Sequence, residues 1–397
     1  MESTTSRKTD RALWLDYLRS FITVLVVAHH AALAYTTFAR FVPTRYIEST
    51  APIVDQQRWV GLDVFVGFND LFFMALMYFL SGLFVYRGLS RKGPKAYLAD
   101  RVARLVVPFL IAELLLIPLA YWPSFYLATG TSRLDVFVSD YLTSQQWPVG
   151  PPWFIWLLLF FDVITALLFQ WSSAFFVKTG RWLTNLSQHP LRFCAVLYGL
   201  LFVSLAPLSL YVGHFTWVGN WGPFDVQLNR VLFYLMAFGL GLCLGTTDWQ
   251  SHLFRHEKLL GVNWPVWVGL SLLSYGLVRV EAEFGAQQVG LGHLTETQGY
   301  LLYDILVVGS CLASIAACLS LFRQCMNRPS KGWSSLSANA YAIYLVHYGF
   351  VTWLQFALLP VEWPAGIKCL LVFAGATSLS WLSSQWLRKN DTIAGVL

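Results

Sequence analysis

An arginine and a histidine eleven residues apart are the first pair in this sequence placed to do chemistry. The chain opens with Trp14-Leu-Asp16-Tyr-Leu-Arg19, followed by an apolar run that ends in His29-His30. At 100° per residue, Arg19 and His30 differ by about 1100°, about 20° from three full turns, so both face one side of a helix. They stand about 16 Å apart along its axis. Asp16 lies one turn from Arg19, close enough to form an ion pair. His29 is rotated about 80° from that line. The stripe therefore carries a charged pair near one end and an imidazole deep in the helix, where it can act as a general base. A snorkelling pair at a helix end accounts equally for Asp16 and Arg19. His30 lies too deep for that. An ionisable group in an apolar span costs free energy, and this favours a functional reading of His30 over a satisfied core histidine.

Further ionisable residues fall in apolar runs: Asp63, Asp70, Glu113, Asp162, Asp304 and His347. Counted from the run ends, Asp70, Glu113 and His347 come within a few turns of His30 in depth. One carboxylate, Asp70 or Glu113, is expected to hold the His30 ring in a single tautomer and to stabilise its charged form. Structural pairing is the alternative for each acid. Arg101-Val-Ala-Arg104 places two guanidinia three residues apart, on one helix face. With Arg91, Lys92 and Lys95 they form a cationic cluster suited to phosphate, because the guanidinium fork matches two oxygens. Membrane topology alone would also collect basic residues here.

The elements that must position these groups are membrane spans. Hydrophobic residues make up 56% of the 397 and charged residues 12%, about half the charge of a soluble domain. Mean hydropathy is +0.55. Many of the 18 Trp and 18 Tyr sit at run ends, as interfacial aromatics do. The composition predicts an all-α polytopic bundle of about ten spans, near 15–38, 61–86, 102–122, 153–171, 191–212, 228–245, 262–280, 300–322, 338–359 and 367–387, forming a single transmembrane domain over 1–397. Basic residues alternate between connections over almost the whole chain, the exception being 39–60 with Arg40, Arg45 and Arg58. Arg7, Lys8 and Arg11, the 87–104 cluster, Lys178 to Arg192, Arg255 and Lys258, Arg323 to Lys331, and Arg388 and Lys389 mark one side. Both termini are thus expected in the cytoplasm. Segments 39–60 and 123–152 are the long outer connections, plausible as substrate platforms or as plain loops. The first apolar run has no cleavage pattern after it and reads as a retained span. The six Cys residues form no Cys-x-x-Cys pair, so neither a disulfide framework nor a metal site is indicated. A net charge of +6 spread over span ends is not a nucleic-acid footprint.

In order along the chain, these residues resemble the acyltransferase-3 family of integral membrane acyltransferases. Arg19 and His30 resemble its opening motif, and Phe79-Leu-Ser81-Gly82 its second-span Ser-Gly signature. Arg101-x-x-Arg104 followed by Pro108 is similar to its third-span motif. Pro152-Trp153-Phe154 resembles the start of its fourth span, and Tyr341-Ala-Ile-Tyr344-Leu-Val-His347 its late segment. Within the family the chain is similar to the glucan-biosynthesis protein C type, which modifies periplasmic glucans. The resemblance implies transfer of an acyl group, acetyl or succinyl, from cytoplasmic acyl-CoA to an extracytoplasmic carbohydrate acceptor, across a bacterial inner membrane. His30 then becomes the catalytic histidine. Arg19, Arg91, Arg101 and Arg104 become donor-side groups, and no metal is implied. His29, Ser81, Trp153, Tyr341, Tyr344 and His347 are candidates for substrate or oxyanion contacts. His29 next to His30 departs from the family pattern, and a register shift would make it the active one. A proton-coupled transporter of a small polar solute is the main alternative, although no paired repeat of the transporter kind is present. A membrane assembly subunit without chemistry would leave the buried His and acids unexplained. The sequence leaves the oligomeric state open.

Overall fold

Backbone N–H and C=O groups surrounded by lipid must bond within their own segment, so a chain this apolar is driven into helices. The computed structural model describes residues 12–143, 147, 148, 150–214, 216–218, 222–254, 259–261 and 263–396. Arg7, Lys8, Arg11, Arg255 and Lys258, used above for orientation, lie outside the described residues. Among the described residues there is no β-strand, only an isolated bridge between Trp217 and Gln227.

Ten helices coincide with the ten expected segments. They are α1 (Leu13–Leu33), α2 (Val60–Lys92), α3 (Pro94–Thr129), α5 (Trp153–Leu186), α6 (Pro190–Val212), α7 (Val231–Leu244), α9 (Trp264–Gly290), α10 (Glu296–Cys325), α11 (Lys331–Leu358) and α12 (Ala365–Leu387). Short helices α4 (Leu134–Thr143), α8 (Trp249–Leu253) and α13 (Asp391–Val396) lie between or after them. Among the described residues, six helices, α2, α3, α5, α6, α10 and α12, are long and apolar enough to cross a membrane. α7 is apolar but short. The other three are more polar, with Asp16, Arg19, His29 and His30 on α1, Arg279 and Glu281 on α9, and Asn339, His347 and Gln355 on α11. The protein is an integral membrane protein.

The third helix begins eight residues before its predicted start. α2 ends at Lys92, Gly93 takes φ 76°, and Pro94 opens α3. Glycine after one helix and proline at the start of the next suit a sharp turn, because glycine tolerates positive φ and proline lacks only an N–H the first turn does not use. The basic cluster at 91–101 therefore belongs to two helix ends and not to a loop.

α2 packs directly on α7. A Cβ built at Gly82 would stand 2.1 Å from the Phe238 carbonyl oxygen, and one at Gly241 would stand 2.1 Å from the Phe79 carbonyl oxygen. Only glycine permits that approach, so the Ser81-Gly82 pair is a helix-packing feature. Around it Tyr78, Phe154, Phe161 and Tyr234 stack in the core, with Tyr78 and Tyr234 centroids 5.1 Å apart.

Candidate active site

His30 sits in the last turn of α1. A helix leaves its final carbonyls without intrahelical donors. α11 supplies one here: the Gln355 side-chain amide donates to the His30 carbonyl at 3.0 Å and to the Ala31 carbonyl at 3.2 Å. The imidazole is fixed from two sides. Its Nδ1 lies 2.8 Å from the Val26 carbonyl oxygen and 3.4 Å from Nε2 of His347. A carbonyl only accepts, so Nδ1 carries the hydrogen and Nε2 keeps its lone pair. His347 is fully buried, and its own Nδ1 stands 2.6 Å from the Tyr344 carbonyl. Tyr348 presents its ring to His30 in a T-shaped contact at 5.2 Å. His29 stacks on Phe73 at 5.2 Å, and its buried Nδ1 makes no hydrogen bond.

Both histidines of α1 line a cavity of about 1500 Å³. Connections at one end of the bundle build its mouth, through residues 47–50, Trp147, Pro148, Gly150, Pro151, Trp217, Asp225 and Gln227, joined by Glu296 and Tyr300 from the first turns of α10. The two long segments singled out in the sequence therefore both contribute walls. Asp70, Trp153, Tyr344 and Tyr348 line it near the histidines, and Val26 on α1 and Met74 on α2 are its deepest residues along those helices. Trp153 stands 5.9 Å from both Trp217 and Tyr234. Aromatic faces among carboxylates and tyrosines suit a polar organic ligand with apolar ring faces.

Neither acid expected to orient His30 reaches it. Asp70 pairs with Arg230, whose Nη1 lies 2.9 Å from Oδ2 and 2.8 Å from the Asp70 carbonyl. Glu113 is buried without a hydrogen bond at either oxygen, on a π-helical segment at Ala112–Leu116 outside the cavity wall. The ring is held instead by a carbonyl of its own helix and by a second histidine.

The remaining site residues lie beyond the cavity or already have partners. A π segment at Val102–Val106 separates Arg101 from Arg104. Arg101 turns inward, with Nε 3.1 Å from Asp162 Oδ2 and 2.9 Å from the Tyr97 hydroxyl, which itself donates to Asp162 at 2.6 Å. Arg104 stays exposed, so the two guanidinia do not share the face that α-helical spacing predicts. Arg91 and Arg19 are exposed too, Arg19 over the Phe84 ring at 5.5 Å. Asp16 is half-buried beside the same helix end. Three hydroxyls expected near an oxyanion donate to backbone carbonyls: Ser81 to Met77 at 2.8 Å, Tyr341 to Arg104 at 2.7 Å, and Tyr344 to Pro151.

Sequence reasoning alone misses Arg230, Tyr97 and Gln355. Arg230 was detectable, since an arginine at the start of an apolar run needs a buried partner. Tyr97 and Gln355 give no such signal, because uncharged polar residues are common in helices. A histidine–carboxylate pair, His214 Nε2 to Asp304 Oδ1 at 2.8 Å, stands elsewhere, with His214 lining the cavity and Tyr300 tilted against the imidazole at 4.7 Å.

Residues 12–385 match the family model described as an acyltransferase domain. The chain belongs to the acyltransferase-3 family. Among curated relatives of this acyltransferase-3 chain is glucans biosynthesis protein C of Escherichia coli, 26% identical over 266 residues, covering 63% of this chain and 60% of that protein. The Salmonella schwarzengrund protein of the same name is 24% identical over 237 residues, covering 58% and 57%. The match thus spans about three fifths of these relatives' length. No solved structure matches the chain.

Proposed function

We propose that this acyltransferase-3 protein moves an acetyl- or succinyl-type group from cytoplasmic acyl-CoA to a hydroxyl of an extracytoplasmic carbohydrate acceptor. The cavity end then faces outward, the basic end faces the cytoplasm, and the ten helices, the short α7 included, act as spans in a bacterial inner membrane. One observation carries this reading. His30 has a tautomer fixed by the Val26 carbonyl, which leaves the Nε2 lone pair on a ring that lines a cavity of about 1500 Å³. A bound acceptor is a glycan by analogy with relatives named for glucan biosynthesis.

His30 Nε2 takes the proton of the acceptor hydroxyl as its oxygen attacks the thioester carbonyl. The new C–O bond forms, and the carbonyl electrons move onto oxygen. When the tetrahedral adduct collapses, the C–S bond breaks, and the proton on Nε2 passes to the departing thiolate. One ester and one free thiol result, with His30 returned to its starting form. Of the candidate oxyanion donors, His29 is adjacent to the base and lines the cavity, whereas Ser81, Tyr341 and Tyr344 spend their hydroxyl hydrogens on carbonyls. Arg19, Arg91 and Arg104 are exposed guanidinia suited to nucleotide phosphates.

The test is His30→Ala in membranes supplied with radiolabelled acetyl-CoA or succinyl-CoA and a β-glucan oligosaccharide. Loss of transfer by at least 100-fold, with protein level unchanged, is expected. Transfer at the normal rate would remove His30 from the chemistry.

A further inference from the structure

Among the described residues the His30 ring has no carboxylate partner, and a second imidazole occupies the place one would take. We infer that His347 is the positioning residue of the reaction: it accepts from the Nδ1–H of His30 and supports the imidazolium that forms when His30 takes up the acceptor's proton. This rests on the proposal that His30 is the base.

Three features lead to it. The first is direction. Nδ1 of His347 is 2.6 Å from the Tyr344 carbonyl, which can only accept, so that nitrogen carries the hydrogen. Its Nε2 is then a bare lone pair, 3.4 Å from Nδ1 of His30. The Nδ1–H of His30 is thereby forked between the Val26 carbonyl and His347. The second is rigidity. His347 is fully buried, and Gln355, two turns further along α11, binds the carbonyls of His30 and Ala31. The same helix thus grips the backbone of the base and its ring. The third concerns where the proton can go. Moving the Nδ1 proton of His30 onto His347 would leave a lone pair on Nδ1 facing the Val26 carbonyl oxygen at 2.8 Å, an unfavourable contact of two acceptors. The Val26 carbonyl therefore keeps that proton on His30. The acceptor's proton, gained at Nε2, stays at Nε2 until the thiolate collects it. His347 spreads the positive charge without removing it.

A neutral partner suits this setting. A buried carboxylate beside His30 would carry a desolvation cost in every state in which the ring is neutral. An imidazole offers a lone pair when the charge appears and is uncharged before and after.

The experiment compares His347→Phe, His347→Asn and His347→Gln in the full-length protein purified in detergent. Steady-state rates are measured against acyl-CoA and against a β-glucan acceptor, and thermal unfolding is followed in parallel. A glutamine carbonyl reaches the position of Nε2, and an asparagine carbonyl falls at Nδ1. The expected result for His347→Phe and His347→Asn is a 10- to 100-fold lower turnover number, with both KM values within twofold of wild type. His347→Gln should recover at least a third of the wild-type turnover. Equal turnover by the Phe variant and wild type would overturn the inference. So would equal losses for the Gln and Phe variants, or losses that follow unfolding temperature alone. Absence of transfer by the wild-type protein would instead overturn the proposed function itself.

Discussion

A half-buried carboxylate at the cavity mouth responds to pH in a direction that its surroundings fix. Asp225 lines the mouth, accepts the Val226 N–H at 2.8 Å, and is pushed by burial up to about 6. Its carboxyl is held near 3.8 when free of the fold. A raised folded value means that the folded protein holds the proton more tightly than the unfolded chain does. The stabilising contribution is complete below about pH 4 and is lost as pH rises through about 6. Asp225→Asn keeps an oxygen for Val226 and cannot ionise. It should raise the unfolding temperature in detergent at pH 7.5 and leave it unchanged near pH 4. A lower unfolding temperature at pH 7.5 would show that the charge itself is needed. At this scale the sequence was most informative where a residue's cost was visible. His30, Asp70 and Asp162 stood out because an ionisable group in an apolar run demands an explanation. Which groups would partner them was not legible, although Arg101 and His347 stood out in their own right. Val26 acts through a carbonyl that every residue possesses, and Arg101 meets Asp162 only once α3 and α5 are side by side.

Helix α3 shows how an element with prolines survives in lipid. Pro108 has no N–H for the carbonyl four residues back, that of Arg104, and Pro123 has none for Leu119. α11 repairs both: the Tyr341 hydroxyl donates to Arg104 at 2.7 Å, and the Trp353 indole donates to Leu119 at 2.9 Å. The third-span Arg-x-x-Arg-Pro motif and the late Tyr341 segment are thus two halves of one contact. Tyr341→Phe is expected to cost about 1 kcal/mol of stability. In a Pro108→Ala background, where residue 108 regains its N–H, that cost should shrink to near zero. An undiminished cost in the double variant, measured by denaturation of both pairs, would mean that the hydroxyl serves another group. Helix positions were legible because apolar runs and Lys-Gly-Pro punctuation are local. The π segments were not, since the same residues satisfy α spacing until the prolines and the neighbouring helix are considered together. This is why Arg101 and Arg104 part company despite their spacing of three.

For the whole molecule, the polar groups are sorted by depth and by end. Arg19, Arg91 and Arg104 lie exposed at one end, and the histidines open on a cavity walled largely by the connections of the other, which carry the exposed Arg40, Arg45, Arg58 and Arg133. The mouth is anchored to the bundle by a buried pair, Lys368 on α12 with Asp55 in the connection after α1, 2.5 Å apart and 0% and 3% exposed. Removing one partner of such a pair leaves a charge without compensation, which explains how a long connection keeps one position over the cavity. The alternation of basic connections had already separated the two ends in the sequence. It could not reveal the cavity, because a cavity is made by side chains from many segments that meet only in the fold. The division into a basic end and a cavity end is what a transfer reaction across a membrane requires. Its direct test is reconstitution in sealed liposomes, with the orientation of the protein assigned by protease access to a terminal tag. With radiolabelled acyl-CoA confined to the side of the basic end and a β-glucan oligosaccharide confined to the other, acylated glucan should accumulate in the acceptor compartment, and His30→Ala vesicles should form none. Product found only when donor and acceptor share one compartment, or formed equally by His30→Ala vesicles, would contradict the account.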